Sequence, residues 1–147
     1  MDLLFSSKLI PAKIAATLPQ GYSLRPLAAS DYDNGHINLL TVLTKAPDPG
    51  RQAYQQRFNF LKTIPDTYYT IVITDGSGNV VGCGTVFLER KFLRGLGVVG
   101  HIEDIAVDKH QQGKSLGKKI ILSLTEIAQQ RGAYKVILDC SKENIRE

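Results

Sequence analysis

The stretch Ile102-Glu-Asp-Ile-Ala-Val107, followed by Asp108-Lys-His-Gln-Gln-Gly-Lys-Ser-Leu-Gly117, decides how we expect this chain to fold. Its apolar and β-branched residues predict a strand that ends near Val107. The two glycines of the second stretch predict a turn, and residues 115–131 carry an apolar stripe at helical spacing, capped by Gly132. The sequence therefore predicts a strand, a glycine-containing turn and an amphipathic helix in direct succession.

The turn before this helix is a candidate anion site. The first amides of a helix lack intrahelical partners, and the helix dipole adds positive potential there. Lys114, Lys118 and Lys119 add cationic charge, so a pyrophosphate would fit. An ordinary strand-to-helix turn beside solvated lysines is the alternative, and spacing alone leaves it open. The turn matches neither the GxxxxGK[ST] nor the GxGxxG phosphate motif.

The remaining segments predict the element order β-α-α-β-β-β-α-β, which is typical of a mixed α/β layer and not of an all-parallel doubly wound sheet. The predicted strands cover residues 21–27, 68–74, 80–89, 100–107 and 134–140. The predicted helices cover about 30–43, 51–63 and 115–131. We expect residues 1–20 to form an N-terminal arm and residues 21–147 to form one domain.

Composition narrows the functional class. With 43% apolar and 22% charged residues, the chain resembles an ordinary soluble protein, and its net charge of +4 suits an anionic small ligand. No nucleic-acid reader motif is present, so we expect no nucleic-acid partner. The N-terminal residues are a poor match to a signal peptide, and no apolar run approaches membrane length, so we expect a cytoplasmic protein. Cys83 and Cys140 have neither metal-ligand nor disulfide spacing.

The histidines do not form a catalytic cluster in the sequence. A lone histidine such as His101 is more often a hydrogen-bonded core residue than a catalyst, and His36 and His110 are expected at the surface. Cys140 has no adjacent base, so covalent catalysis is not indicated.

Several motifs resemble one family. Gln112-Gly-Lys-Ser-Leu-Gly117 resembles the Q/R-x-x-G-x-G/A acetyl-CoA loop of the GNAT superfamily of N-acetyltransferases, with Ser115 where glycine is usual; the departure is small if Ser115 keeps a helical φ. Glu89-Arg-Lys-Phe-Leu93, Gly97-Val-Val-Gly-His-Ile-Glu-Asp-Ile-Ala-Val107 and Tyr134-Lys-Val-Ile-Leu-Asp-Cys140 resemble the eukaryotic, fungal-type glucosamine-6-phosphate N-acetyltransferases. Val42-Leu-Thr44 is also similar, and the resemblance spans about residue 21 to Asn144.

The resemblance implies the GNAT fold, a mixed sheet flanked by helices, with acetyl-CoA as co-substrate and no metal. The implied cofactor contacts are Ile105, Ala106, Val107, Gln112, Gly113, Lys114, Ser115, Leu116, Gly117, Lys118 and Asn144. A backbone N–H near Ile105 or Ala106 can polarise the thioester carbonyl.

The same resemblance implies D-glucosamine 6-phosphate as acceptor, in the synthesis of UDP-N-acetylglucosamine, and direct transfer of the acetyl group in a ternary complex. The implied acceptor contacts are Thr44, Lys91, Phe92, Leu93, Arg94, Glu103, Asp104, Ile105, Tyr134, Lys135 and Asp139. Glu103, Asp104 and Asp139 are the candidate catalytic carboxylates. Because Glu103 and Asp104 are neighbours on a strand, we expect their side chains on opposite faces. The family also implies a homodimer with the sugar site near the interface.

The family continues after Asn144 with a Phe-Tyr-Glu-Lys-x-Gly-Phe segment and a last strand, whereas this sequence runs to Ile145-Arg-Glu147. We therefore expect one or more C-terminal strands, and the family's proton-donating tyrosine, to be missing. Two alternatives remain open at this point: a catalytically weakened or silent acyl-CoA-binding or dimerising module, and a GNAT enzyme that acts on another amine.

Overall fold

A computed structural model describes residues 1–64 and 66–138. Its strands are β1 (Ser23–Pro26), β2 (Tyr68–Thr74), β3 (Val80–Arg90), β4 (Val98–Val107) and β5 (Ala133–Leu138). Its helices are α1 (Ala12–Ala15), α2 (His36–Leu40), α3 (Arg51–Lys62), α4 (Leu93–Leu96) and α5 (Leu116–Gln130). The strands form one sheet in the order β1-β2-β3-β4-β5, antiparallel except for the parallel pair β4–β5.

One face of the sheet is covered by α5. Leu116, Ile120, Leu124 and Ile127 are almost fully buried, and their spacing brings them onto one side of the helix. They pack in a core cluster that includes strand residues such as Ile102. Each such side chain contributes roughly 1.5–3 kcal/mol on burial. The apolar stripe that predicts α5 therefore also packs this helix against the sheet. This packing places the start of α5 beside the end of β4.

The opposite face is covered by α2 and α3. Leu39 of α2 and Phe58 of α3 are buried against Val72, Cys83 and Ala106 of the central strands. The sheet thus has one helical layer on each face, and the predicted mixed sheet is confirmed; the element order agrees apart from the short helices α1 and α4.

The helix predicted over residues 30–43 is divided, which corrects the sequence interpretation. A 3-10 turn covers Ala29–Tyr32, and α2 begins only after Gly35, whose φ is 92°. The turn is held by Asp31, whose carboxylate accepts hydrogen bonds from the Ala28 N–H at 2.8 Å and from Asn34 Nδ2 at 3.0 Å. Because these bonds tie the carboxylate to local backbone and side-chain donors, they favour a turn over a continuous helix.

Arg25 completes this turn with a two-pronged ion pair. Its Nη1 and Nη2 atoms each donate to an Asp31 carboxylate oxygen at 2.8 Å, and the Asp31 side chain is fully buried. Burial acts to raise the pKa of Asp31, but the hydrogen bonds from Arg25, Ala28 and Asn34 outweigh it and lower the pKa below its ordinary value. The pair therefore keeps Asp31 charged and fixes the chain between β1 and α2.

The N-terminal arm is packed on the body of the protein. Leu4 is buried, and its N–H donates to the Leu27 carbonyl at 2.8 Å. Ile14 and Leu18 pack against the core cluster that contains α5, and α1 contacts α5 directly. The predicted boundary between an arm and a domain at residues 20 and 21 stays a prediction.

The single turn α4 was not predicted from the sequence, which gives no element between the strands predicted over residues 80–89 and 100–107. In α4 the consecutive residues Arg94, Gly95 and Leu96 all have left-handed φ values of 57°, 64° and 63°. The predicted extension of β5 to Cys140, like the prediction of missing C-terminal strands, concerns residues outside the described part. Within the described residues, no helix is both long enough and apolar enough to cross a membrane.

Candidate functional site

The centre of the candidate site is a bulge in β4. Thr85 of β3 pairs with Glu103, whereas Cys83 pairs with Ala106, so β4 has one more residue than β3 in this interval. Asp104 provides the irregularity with a φ of 57°. A bulge of this kind leaves backbone groups outside the regular ladder and re-aims the side chains beside it.

The bulge corrects the expectation that Glu103 and Asp104 point to opposite faces. Glu103 lies opposite Thr85, and Asp104 lines a cavity together with Thr85 and Cys83, so both carboxylates lie on the face covered by α2 and α3. Ile105 instead packs with the core cluster on the α5 face. The extra residue reverses the alternation that a regular strand would have imposed.

The first half of β4 pairs with β5. The described ladder runs from Val98 opposite Ala133 to Ile102 opposite Leu138, and the bulge comes directly after the last of these pairs. Ile105, Ala106 and Val107, the residues expected to contact pantetheine, all lie on the second half of β4. The structure therefore brings them between the bulge and the turn that leads into α5.

The turn before α5 is the second part of the site. Gly113 has a φ of 86°, and Ser115 has a φ of 56° and a ψ of 31° immediately before the first helical residue, Leu116. Ser115 makes no side-chain capping bond. The condition that Ser115 keep a helical φ is thus not met, because the chain needs the left-handed conformation there, which explains why glycine is the residue that fits this position best.

The lysines in and after the turn differ in their contacts and exposure. Lys119 Nζ donates to the Lys114 carbonyl at 3.2 Å, which ties the first turn of α5 back to the preceding loop. Gln112, Gly113 and Lys118 are exposed. The exposed side of the turn and the helix dipole of α5 together favour an anion at this end of the helix.

Near α4, the structure brings together two of the residues expected to contact the acceptor. The Arg94 guanidinium lies over the Tyr134 ring at 4.8 Å from the ring centre. A Cβ at Gly97 would come within 2.7 Å of the same ring, so glycine permits this close approach. Phe92 and Leu93 are exposed on the same turn. The stacked cation lies at an exposed position, where it could meet an anionic ligand.

Lys91 belongs to a polar network that the sequence interpretation missed. Its Nζ lies 3.2 Å from Glu89 Oε2, while Glu89 Oε1 lies 2.9 Å from His101 Nε2. The hydrogen bonds from His101 and then Lys91 lower the pKa of Glu89. His101 is half-buried and stacks on Phe87 at 4.8 Å. The strand period was the available signal, because it puts His101 on the same face as Glu103, two residues later.

Other expected residues are dispersed or lie outside the description. Thr44 is exposed in the segment after α2, and Lys135 is exposed on β5. Asp139 and Asn144 lie outside the described residues, as does Cys140. Among the residues that are described, no three histidine, cysteine or acidic side chains are grouped so that they could hold a metal ion.

A cavity of about 410 Å³ lies between α2, α3 and the sheet, with Asp104 in its lining. Most of the other lining side chains are apolar, including Leu27, Phe58 and Leu61. His36, expected at the surface, is instead buried in this wall, where its Nδ1 lies 2.8 Å from the Tyr54 hydroxyl. Burial lowers the pKa of His36 to about 4. The apolar part of the lining suits a hydrophobic group, while Arg57, Thr85 and Asp104 add polar groups to it.

Comparison with known proteins agrees with this geometry. The model of the Acetyltransferase (GNAT) family matches residues 35–147. The chain is 46% identical over 128 residues to glucosamine 6-phosphate N-acetyltransferase of Candida albicans, which covers 87% of this chain and 86% of that protein. It is 42% identical over 134 residues to glucosamine 6-phosphate N-acetyltransferase 1 of Dictyostelium discoideum, covering 90% and 85% of the two chains.

A solved structure shows the same fold. The crystal structure of glucosamine-6-phosphate N-acetyltransferase from Arabidopsis thaliana superposes with a TM-score of 0.80, at 40% identity and 84% coverage of each chain. The mixed five-stranded sheet and its flanking helices are thus those of a GNAT acetyltransferase. Within that class, the chain belongs to the family of the glucosamine 6-phosphate N-acetyltransferases.

Proposed function

We propose that this chain transfers the acetyl group of acetyl-CoA to the amine of D-glucosamine 6-phosphate, which yields N-acetyl-D-glucosamine 6-phosphate and CoA. The observation that carries the proposal is the β4 bulge, because it puts Glu103 and Asp104 on one face directly before the strand half that leads to the anion-binding turn. Relatives that bear this activity in their names are 38–46% identical over most of the chain.

GNAT acetyltransferases use acetyl-CoA, and the turn from Gln112 to Lys118 is our candidate for its pyrophosphate. Backbone groups of Ile105, Ala106 and Val107 would pair with the pantetheine arm. The bulge supports this role, because Asp104 and Ile105 have no partner in the described register with β3. Asn144 remains a proposed contact near the reactive end, and no metal is part of the proposal.

The reaction needs a neutral amine, a polarised carbonyl and a proton for the departing sulfur. The amine nitrogen bonds to the thioester carbon, the carbon–sulfur bond breaks, the nitrogen loses its extra proton, and the thiolate takes one up. A backbone N–H at the bulge would polarise the carbonyl oxygen. Glu103 and Asp104 would orient the amine and the hydroxyls of the sugar, with Asp139 as a third proposed carboxylate.

Basic side chains support a phosphate at the other end of the acceptor. Lys91 retains donors beyond the one that contacts Glu89, since an ammonium group has three. Arg94 lies beside Tyr134 and presents the fork of donors that suits a phosphate. We place the phosphate group between Lys91, Arg94 and the neighbouring residues Phe92, Leu93, Tyr134 and Lys135.

A homodimer is part of the proposal. Phe92, Leu93 and Leu96 of α4 are 92%, 68% and 70% exposed, and Ile137 and Leu138 of β5 are 38% and 39% exposed. The exposed apolar side chains of α4 directly follow or flank Lys91 and Arg94 in the chain, and exposed apolar groups of this kind fit a second copy of the chain. We also propose a cytoplasmic location, where the substrates of amino-sugar synthesis occur.

The test is an acceptor panel with acetyl-CoA, measured as free-thiol release. We expect turnover with glucosamine 6-phosphate and much less with glucosamine, a polyamine or a lysine peptide. Turnover with a different amine but not with glucosamine 6-phosphate would overturn the acceptor. If calorimetry shows that CoA binds, but acetyl-CoA releases no free thiol with any acceptor, the silent acyl-CoA-binding module is favoured instead.

A further inference from the structure

The N-terminal segment reaches the candidate cofactor turn through one side chain. The Tyr22 hydroxyl donates a hydrogen bond of 2.7 Å to Gln111 Oε1, although the two residues are 89 positions apart in the sequence. Gln111 is the last residue of the 3-10 turn Lys109–Gln111 and directly precedes Gln112. The contact therefore lies at the entry to the proposed pyrophosphate turn.

The rest of the N-terminal segment holds Tyr22 in place. The Tyr22 ring packs against the core cluster that contains α5, together with Ile14 and Leu18. Its N–H donates to the Pro19 carbonyl at 3.0 Å, and Gly21, with a φ of 84°, lies close to Gly76. The phenol is thus carried by a packed ring on a fixed turn.

The loop that Tyr22 contacts is otherwise held mainly by its own backbone. The Asp108 side-chain oxygen Oδ1 accepts a hydrogen bond from the His110 N–H at 2.9 Å, and the Asp108 backbone carbonyl accepts one from the Gln111 N–H at 2.9 Å. The Asp108 N–H donates to the Val81 carbonyl at 2.9 Å, which anchors the loop at its start. Tyr22 supplies an anchor from outside the loop at its other end.

We propose that Tyr22 is a positioning residue for the cofactor turn, and that residues 1–22 brace the turn through it. This inference rests on the proposed function, because it assumes that residues 112–118 receive the pyrophosphate of CoA. A turn held in its binding conformation loses less freedom when the ligand binds, so the brace strengthens binding without touching the ligand.

The test measures CoA binding by calorimetry with Tyr22→Phe in the full chain. The loss of one hydrogen bond between neutral groups should raise the Kd for CoA by about 2- to 10-fold. The KM for glucosamine 6-phosphate, and kcat at saturating acetyl-CoA, should stay unchanged. Gln111→Leu should produce a similar rise, and the double variant should be no weaker than the weaker single variant.

Tyr32→Phe is the matched control, because it also removes one phenol that donates to a side chain, Asp48 Oδ1 at 2.9 Å, away from the turn. Its Kd for CoA should equal that of the unchanged chain. A Tyr22→Phe variant with an unchanged Kd would overturn the brace, as would equal changes in both tyrosine variants.

A variant within the turn separates this inference from the proposed function. Gly113 has a φ of 86°, so Gly113→Ala is strained there and should weaken CoA binding if the turn is the site. If Gly113→Ala weakens binding and Tyr22→Phe does not, the brace alone is wrong. If neither variant changes the Kd, the pyrophosphate assignment fails as well.

Discussion

Glu103 and Asp104 lie on the same face of β4, although they are adjacent in a strand. The cause is the bulge in β4, where the left-handed φ of 57° at Asp104 accommodates one more residue than β3 has in the same interval. Two carboxylates can therefore face one acceptor. Asp104 contributes both a backbone conformation and a charge, and suitable substitutions can remove the charge with or without the conformation.

Asp104→Gly should keep the bulge and remove the carboxylate, since glycine adopts positive φ freely. Asp104→Val should lose both, because a β-branched residue is strongly disfavoured at positive φ. We expect Asp104→Gly to leave the Kd for CoA unchanged while lowering kcat/KM, and Asp104→Val to impair both. Steady-state kinetics and CoA calorimetry check this; equal CoA binding in the two variants would mean that the bulge does not shape the cofactor site.

Glu103→Gln should weaken the acceptor without affecting the cofactor. Loss of a charged hydrogen-bond partner typically costs about 1.5–3 kcal/mol, which corresponds to roughly 10- to 150-fold in the KM for glucosamine 6-phosphate. The Kd for CoA should not change. If both constants rise together, Glu103 is a structural carboxylate and not an acceptor ligand.

Ser115→Gly should stabilise the protein, because a non-glycine residue in the left-handed region costs roughly 1–2 kcal/mol. Glycine recovers part of this and loses part through its more flexible unfolded state, so a net gain of up to about 1 kcal/mol is expected. Urea unfolding measures the gain. Ser115→Ala is the control, since alanine keeps the strain; a gain with alanine equal to that with glycine would contradict the explanation.

Two neighbouring ion pairs should differ sharply in their contribution to stability. Asp31→Ala leaves Arg25 with its partner removed in a largely buried position and should cost roughly 3–5 kcal/mol. Asp33→Ala breaks the exposed pair with Arg51, which solvent screens, and should change the stability little. Thermal and denaturant unfolding of the two variants would show the contrast, and similar costs would contradict it.

The buried His36 should make stability depend on pH. Its folded pKa of about 4 lies below the ordinary value of 6.5, so the unfolded chain binds the proton more tightly. This contribution is fully present above pH 6.5, declines as the pH falls, and is lost below about pH 4. The fall from 6.5 to 4 corresponds to roughly 3 kcal/mol.

His36→Asn should flatten this part of the stability curve, since an amide can replace the contact with Tyr54 but does not titrate. His110→Asn, at an exposed position, is the control and should retain the slope of the unchanged chain. Unfolding curves between pH 4 and 7 decide the matter; an undiminished slope in His36→Asn would assign the effect to other groups.

The sequence predicts the elements that rest on long, regular patterns. β2 has the predicted bounds because aromatic and β-branched residues fill it, and α5 follows from its apolar stripe. The turn between β4 and α5 lies where the sequence predicts it for the same reason, since a strand and a helix with clear periods bracket it; its role as an anion site stays a prediction.

The errors occur where one residue changes the backbone. Nothing in the composition around Asp104 or Ser115 specifies a left-handed φ, although two successive polar residues in an apolar strand were a usable sign of a bulge. His36 was misplaced because its burial depends on Tyr54, 18 residues later on α3. The packing of residues 1–20 depends likewise on contacts distant in sequence.

The thiol of Cys83 can report when α2 and α3 separate from the sheet. Its side chain lines the cavity but is 1% exposed, and burial raises its pKa to about 12, so we expect an alkylating reagent to meet a reactive thiolate when these helices separate from the sheet. In a chain with Cys140 replaced by serine, the alkylation rate would therefore time that separation. A small apolar molecule bound in this cavity should slow the alkylation. The alkylation rate of Cys83 can therefore be used to screen for ligands that bind between α2, α3 and the sheet.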